Sequence, residues 1–153
     1  MIKKIEHLGI AVKSIDESLK IFETLFSAQC YKEEEVISEG VRTAFIQVGD
    51  SKIELLEATN SDSAIAKFLN KGKRGFHHVA FEVDDLDAEL IRLRKNDFVL
   101  IHESAKDGAD NKRIAFLHPK STDGLLIELC QEKISWRFIP FFKCIVCKPI
   151  FCA

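Results

Sequence analysis

The chain has 153 residues, of which 46% are apolar and 30% charged, a composition of folded globular domains rather than disordered or collagen-like chains. Its 22 basic residues face 24 acidic ones, and a net charge of −2 argues against nucleic acid as a partner. No run of about 18 uncharged apolar residues occurs, and the first residues lack an apolar core of signal-peptide length. The expectation is therefore no membrane span, a cytoplasmic (intracellular) setting and free thiols.

Taken in chain order, residues 5–12 alternate as a strand, with Leu8, Ile10 and Val12 on one face and His7, Gly9 and Ala11 on the other. Ser14-Ile-Asp-Glu17 fits a capping box, and Ile15, Leu19, Phe22 and Phe26 mark a helix behind it. Strands are expected at about 30–36, 41–48 and 51–57, with Gly49-Asp50 as a turn. Ser61 or Asp62 can cap a short helix running through Leu69. A strand at 76–83 follows, placing His78, Ala80 and Glu82 on one face and His77 on the other. Then come a helix near 86–96 and strands near 98–102, 112–117 and 124–131, with a polar loop at Glu103–Asn111.

These elements repeat. His7-Leu-Gly-Ile-Ala-Val12 resembles His78-Val-Ala-Phe-Glu-Val83 at an offset of 71, and Ile15, Asp16 and Leu19 match Leu86, Asp87 and Leu90 at the same offset. Arg42-Thr-Ala-Phe-Ile46 matches Arg113-Ile-Ala-Phe-Leu117, again at 71. Ile53-Glu-Leu55 matches Ile127-Glu-Leu129 at 74. Four matched blocks in one order describe two copies of a βαβββ unit. Residues 1–133 then divide into a module at about 3–58, a linker helix within about 59–74 and a second module at about 75–132. Residues 134–153 stand apart as a hydrophobic tail with Cys144-x-x-Cys147 and no acidic residue.

The repeat also pairs the residues that carry chemistry. His7 and Glu54 in the first copy correspond to His78 and Glu128 in the second. Each glutamate interrupts an apolar strand, where a carboxylate is costly unless paired or metal-bound. Two histidines and two glutamates suit a divalent ion such as Co, Mn, Ni or Zn. His77 is expected to pack or hydrogen-bond beside that set, outside it.

At this point the sequence resembles the vicinal oxygen chelate (glyoxalase-fold) superfamily. Within it, Gly75-Phe-His-His-Val-Ala-Phe-Glu-Val-Asp84, Arg113-Ile-Ala-Phe-Leu-His-Pro-Lys-Ser121 and Gly124-Leu-Leu-Ile-Glu-Leu129 look like the methylmalonyl-CoA epimerase family. The resemblance covers about residues 3–132. It implies an α+β fold of two tandem βαβββ modules forming a U-shaped mixed sheet with helices outside, and a homodimer. It implies metal ligands at His7, Glu54, His78 and Glu128, and an acyl-CoA substrate whose two C2 epimers interconvert through α-proton removal and an enolate stabilised by the metal. Glu128 is the first candidate for one acid/base role and Glu54 for the other. Some relatives carry a further glutamate where this chain has Thr43, which cannot act as a base at neutral pH. Lys112, Arg113 and Lys120 are candidate contacts to the coenzyme phosphates, and Lys120 and Ser121 to the substrate carboxylate. Two other activities share the fold: a glyoxalase I-type lactoylglutathione lyase, and a non-catalytic small-molecule-binding protein. Retention of both His and both Glu counts against the second.

Overall fold

The computed structural model describes residues 1–133; the expected hydrophobic tail, with its Cys144 and Cys147, lies outside the described residues. The strands are β1 (Ile2–Ala11), β2 (Cys30–Val36), β3 (Val41–Val48), β4 (Ser51–Ala58), β5 (Gly75–Val83), β6 (Lys106–Asp107), β7 (Lys112–Leu117) and β8 (Ile127–Glu132). The helices are α1 (Ile15–Phe26), α2 (Ala64–Asn70) and α3 (Leu86–Arg94). All eight strands form one mixed sheet in the order β2-β3-β4-β1-β5-β8-β7-β6. That order reads the same from either end once the copies are exchanged. β1 runs parallel to β4, β5 runs parallel to β8, and the antiparallel β1–β5 pair joins the copies at the centre.

The two longer helices, α1 and α3, cover the outer face because their apolar stripes need a sheet to bury against, whereas α2 packs on Ala11, Val41 and Leu56 beside the cavity side of the sheet. Leu86, Leu90 and Leu93 of α3 pack with Val83, Ala115, Leu117 and Leu129. Leu19, Phe22 and Phe26 of α1 pack over Ile15, Ala44, Ile53 and Leu55. Each long helix begins in the same way. The Ser14 hydroxyl accepts from the Glu17 amide, as expected, and the Asp85 carboxylate accepts from the Ala88 amide. A side chain from the last strand of each copy takes a further amide: Glu57 accepts from Ile15, and Gln131 from Leu86. These bonds satisfy first-turn amides that have no partner inside a helix.

Two expectations need correction. The cap of α2 is Ser63, whose hydroxyl accepts from the Ala66 amide at 3.0 Å, and neither Ser61 nor Asp62. The reason is local: the Asn60 side-chain oxygen takes the amides of Asp62 and Ser63, so residues 60–63 form a turn and the helix starts beyond it. Ser63→Ala is expected to cost about 1 kcal/mol and to lower the melting temperature by roughly 2–4 °C, read by thermal unfolding. The strand expected near 98–102 shrinks to a single bridge between Leu100 and Leu117. The free edge of β7 is short, and it is shared: Leu117 faces Leu100, while Ile114 and Arg113 pair with Lys106 and Asp107 of β6 inside the expected loop.

Candidate metal centre and cavity

The sheet register gathers the four repeat-paired residues. His7 lies opposite Ala80 and His78 opposite Gly9 across the central antiparallel pair. Glu54 is beside Gly9 on β4, and Glu128 is beside Ala80 on β8. Each histidine thus faces a small residue, and each glutamate stands one strand further out. The small residues are required on the inner face. A methyl group on Gly9 would sit 2.2 Å from Cε1 of His78, so the His78 ring lies directly against the β1 backbone.

All four side chains are buried, at 3–5% exposure. His7 Nε2 is 3.0 Å from His78 Nε2, 3.3 Å from a Glu54 oxygen and 4.0 Å from a Glu128 oxygen. His78 Nε2 is 3.5 Å from the same Glu54 oxygen and 3.4 Å from the Glu128 oxygen. Such separations suit neighbouring ligands on one ion with bonds of about 2.0–2.2 Å. The chemistry of the set agrees, since two imidazoles and two carboxylates match a borderline divalent transition ion.

Burial and neighbouring charges set the proton affinities of His7, His78 and Glu128 apart. Burial pulls His78 down, and the neighbouring His7 and His77 add to this. Burial also opposes charge on His7, but Glu54, Glu6 and Glu128 outweigh it and hold His7 protonated well above the usual histidine range. Burial pushes the Glu128 carboxyl up to about 8. An ion held by His7 and Glu128 would have to displace these protons. The apparent affinity for Co(II) is expected to rise at least about tenfold per pH unit below pH 8, with proton release seen by calorimetry in buffers of different ionisation enthalpy. An affinity independent of pH between 6 and 7.5 would contradict this assignment.

A residue that the alternation of β1 placed on the outer face also enters the site. Glu6 is 3% exposed. Its carboxylate accepts from His7 Nδ1 at 2.5 Å and from Lys52 Nζ at 2.5 Å, and Lys112 Nζ is 3.3 Å away. His7 and Lys52 hold it ionised far below the usual carboxylate range, against the cost of burial. Lys52 continues to Asp110 at 2.7 Å, and Asp110 meets Tyr31 at 3.0 Å and Lys32 at 3.2 Å. This chain of charges ties β2 of the first copy to the loop before β7 of the second.

The centre opens on a cavity of about 190 Å³ lined by both copies, with Phe45, Leu56, Ile114, Phe116 and Leu126 among its apolar walls. Thr43 lines it too, buried, with its hydroxyl 3.4 Å from the Glu34 carbonyl. The four residues named for substrate contact are dispersed. Lys112 lines the cavity but is buried and paired with Glu6 and Glu132. Arg113 makes a two-pronged contact with Asp87 of α3, at 2.9 and 3.0 Å. Lys120 is exposed. The Ser121 hydroxyl accepts from the Val99 amide and donates to the His118 carbonyl. The cavity gains a cation that the sequence did not single out, Lys106, which reaches Glu39 across the opening at 2.5 Å. It sits in β6, inside the stretch the sequence reads as a polar loop, where none of the matched repeat blocks falls.

Residues 6–116 match the sequence model of the Glyoxalase/Bleomycin resistance protein/Dioxygenase superfamily. The human protein named "Methylmalonyl-CoA epimerase, mitochondrial" is 36% identical over 129 residues, 84% of this chain and 73% of that one. The crystal structure of methylmalonyl-CoA epimerase from Mycobacterium tuberculosis superposes with a TM-score of 0.83 at 35% identity, covering 87% of this chain and 90% of that one. A structure described as methylmalonyl-CoA epimerase in complex with methylmalonyl-CoA and NH4+ superposes with a TM-score of 0.83 at 32% identity, covering 86% and 96%.

Proposed function

Because the chain belongs to the Glyoxalase/Bleomycin resistance protein/Dioxygenase superfamily, we propose that it is an isomerase, a metal-dependent epimerase that interconverts (R)- and (S)-methylmalonyl-CoA. The observation that carries this reading is the convergence of His7, Glu54, His78 and Glu128 at one point, with His7, Glu54 and Glu128 lining the adjoining cavity. The reading includes Co, Mn, Ni or Zn as the ion, pairing into a homodimer and a cytoplasmic setting.

The reacting carbon of such a substrate lies between a thioester carbonyl and a carboxylate. A bound divalent ion supplies positive charge beside the oxygens on which negative charge develops when the α-proton leaves. His7 and His78 hold that position from the two central strands. Inversion at carbon needs proton transfer on opposite faces of a planar intermediate. Glu54 and Glu128 stand on strands to either side of the central pair, and they are the two proton-transfer groups of this reading. Thr43 offers no base, and its buried hydroxyl is turned to the Glu34 carbonyl. The apolar walls exclude water from the carbanion-like intermediate. Lys120 is exposed and available to the coenzyme phosphates, with Ser121 beside it; Arg113 and Lys112 reach them only by leaving Asp87, Glu6 and Glu132.

The test is proton exchange followed by NMR. The full chain, loaded with Co(II), is given methylmalonyl-CoA in deuterated water, and the α-proton signal is expected to disappear. Turnover of a glutathione hemithioacetal with no exchange on methylmalonyl-CoA would move the chain to the lyase. Inactivity on both would remove the substrate assignment.

A further inference from the structure

The two central strands share a feature that the four-ligand set does not explain. The register of β1 against β5 slips at three places, and two of them flank the histidines of the centre: between Ile5 and His7 and between Gly9 and Ile10. In the first of these two Glu6 is the extra residue, because Ile5 faces Phe81 and His7 faces the very next residue, Ala80. In the second, His77 is the extra residue, because Gly9 faces His78 and Ile10 faces Phe76. A bulge re-aims the side chain of its extra residue. Glu6 and His77 are themselves repeat counterparts, 71 positions apart, and each directly precedes a histidine of the centre.

Both re-aimed side chains reach the same atom of the following ring. Glu6 accepts from His7 Nδ1 at 2.5 Å, and His77 Nδ1 lies 3.0 Å from His78 Nδ1. Both contacts leave Nε2 of each ring facing the centre. His77 is itself held edge-on by Phe68 of α2, with ring centroids 4.9 Å apart. Glu6 is held by Lys52.

We infer that Glu6 and His77 are the paired positioning residues of the metal centre, each placed by a β-bulge to hold the proton of the next histidine on Nδ1 and present its Nε2 to the ion. This rests on the metal reading above. A proton on Nδ1 of His78 requires His77 to accept, so His77 carries its own proton on Nε2. The two partners differ in kind. A carboxylate strengthens His7 as a donor by drawing on its N–H, whereas a neutral imidazole mainly fixes the orientation of His78.

The test uses the full chain loaded with Co(II), whose paramagnetism shifts the exchangeable Nδ1 protons of bound histidines out of the normal proton NMR range. The wild type is expected to show two such signals, protected from solvent exchange. Glu6→Leu should weaken Co(II) binding about tenfold or more, and His77→Phe similarly, as measured against a competing chelator. Each variant should speed exchange of one signal only. His77→Asn, whose Oδ1 occupies the place of the imidazole Nδ1 and can accept the same bond, should restore both protection and affinity. His77→Phe touches no lysine and keeps the contact with Phe68, so it tests the inference even where Glu6→Leu disturbs folding through Lys52 and Lys112. Weakened binding with both signals still protected marks general destabilisation and overturns the inference, as does unchanged binding with both signals unchanged. A wild type that holds no Co(II) through His7 and His78 overturns the metal reading and this inference together.

Discussion

His78→Ala is expected to abolish proton exchange on methylmalonyl-CoA, by about 10³-fold or more. The ring contributes the one donor atom within 3.5 Å of a donor on each of His7, Glu54 and Glu128, so its loss opens the centre on three sides. Charge stabilisation by a divalent ion is worth several kcal/mol, and about 4 kcal/mol corresponds to roughly 10³ in rate. Two controls separate this from a fold defect. Wild-type protein stripped by chelator should lose the same activity and regain it with Co(II), whereas the variant should not regain it at any Co(II) concentration that saturates the wild type. Melting in the presence of chelator should leave the variant folded at the assay temperature. A variant that kept a tenth of wild-type exchange would remove His78 from the centre.

Gly9→Ala carries the second large effect, although Gly9 offers no functional group. An added methyl would lie 2.2 Å from Cε1 and 2.4 Å from Nδ1 of His78, distances that no packed structure tolerates. The neighbours cannot absorb the shift easily. His78 is wedged between β1 and the ring of Phe116, whose centroid is 5.7 Å away, and its Nδ1 is tied to His77. Overpacking of this kind costs about 1–3 kcal/mol of stability. Displacing the ring by about 1 Å costs on the order of 10²-fold in rate. The variant is therefore expected to fold, to melt lower, and to lose most of its Co(II) affinity and exchange activity together. Ala80→Gly at the repeat-equivalent position is the contrast: the Ala80 methyl already sits opposite His7, and its removal should cost only about 0.5–1 kcal/mol while leaving metal affinity intact. Equal metal affinities for Gly9→Ala and wild type would show that the His78 position is not the one that binds.

Much of this protein was open to reading from the chain alone. The offsets of 71 and 74 named both copies of the unit, and with them two histidines whose ring nitrogens each lie within 4.0 Å of an oxygen of Glu54 and of Glu128. The Ser14 cap and the boundaries of β2 and β3 follow from local chemistry, because a cap hydroxyl and a period-two strand depend only on their neighbours. The superfamily followed from the same blocks, and the sheet order is the one that a paired βαβββ unit requires.

Other features depend on which strand lies beside which. Alternation assigns Glu6 and His77 to the outer face, and it holds only while the register advances one residue for one; each sits at a slip, and each side chain turns inward. The same pairing decides that Lys112 is spent on Glu6 and Glu132, that Arg113 is held by Asp87, and that Lys106 reaches Glu39 over the cavity. It also separates Gly9 from Ala80, which the repeat makes equivalent: Gly9 lies under the His78 ring where no side chain fits, and Ala80 carries a methyl opposite His7. What the sequence determined by itself is the repeat, the local elements and the identity of the four converging side chains, since these are carried by short-range pattern and by residue type. The tertiary structure alone decided the partners of each charge and the direction of each bulged side chain. Those follow from contacts between segments far apart in the chain, and from the desolvation that makes each such contact either compensated or too costly to keep.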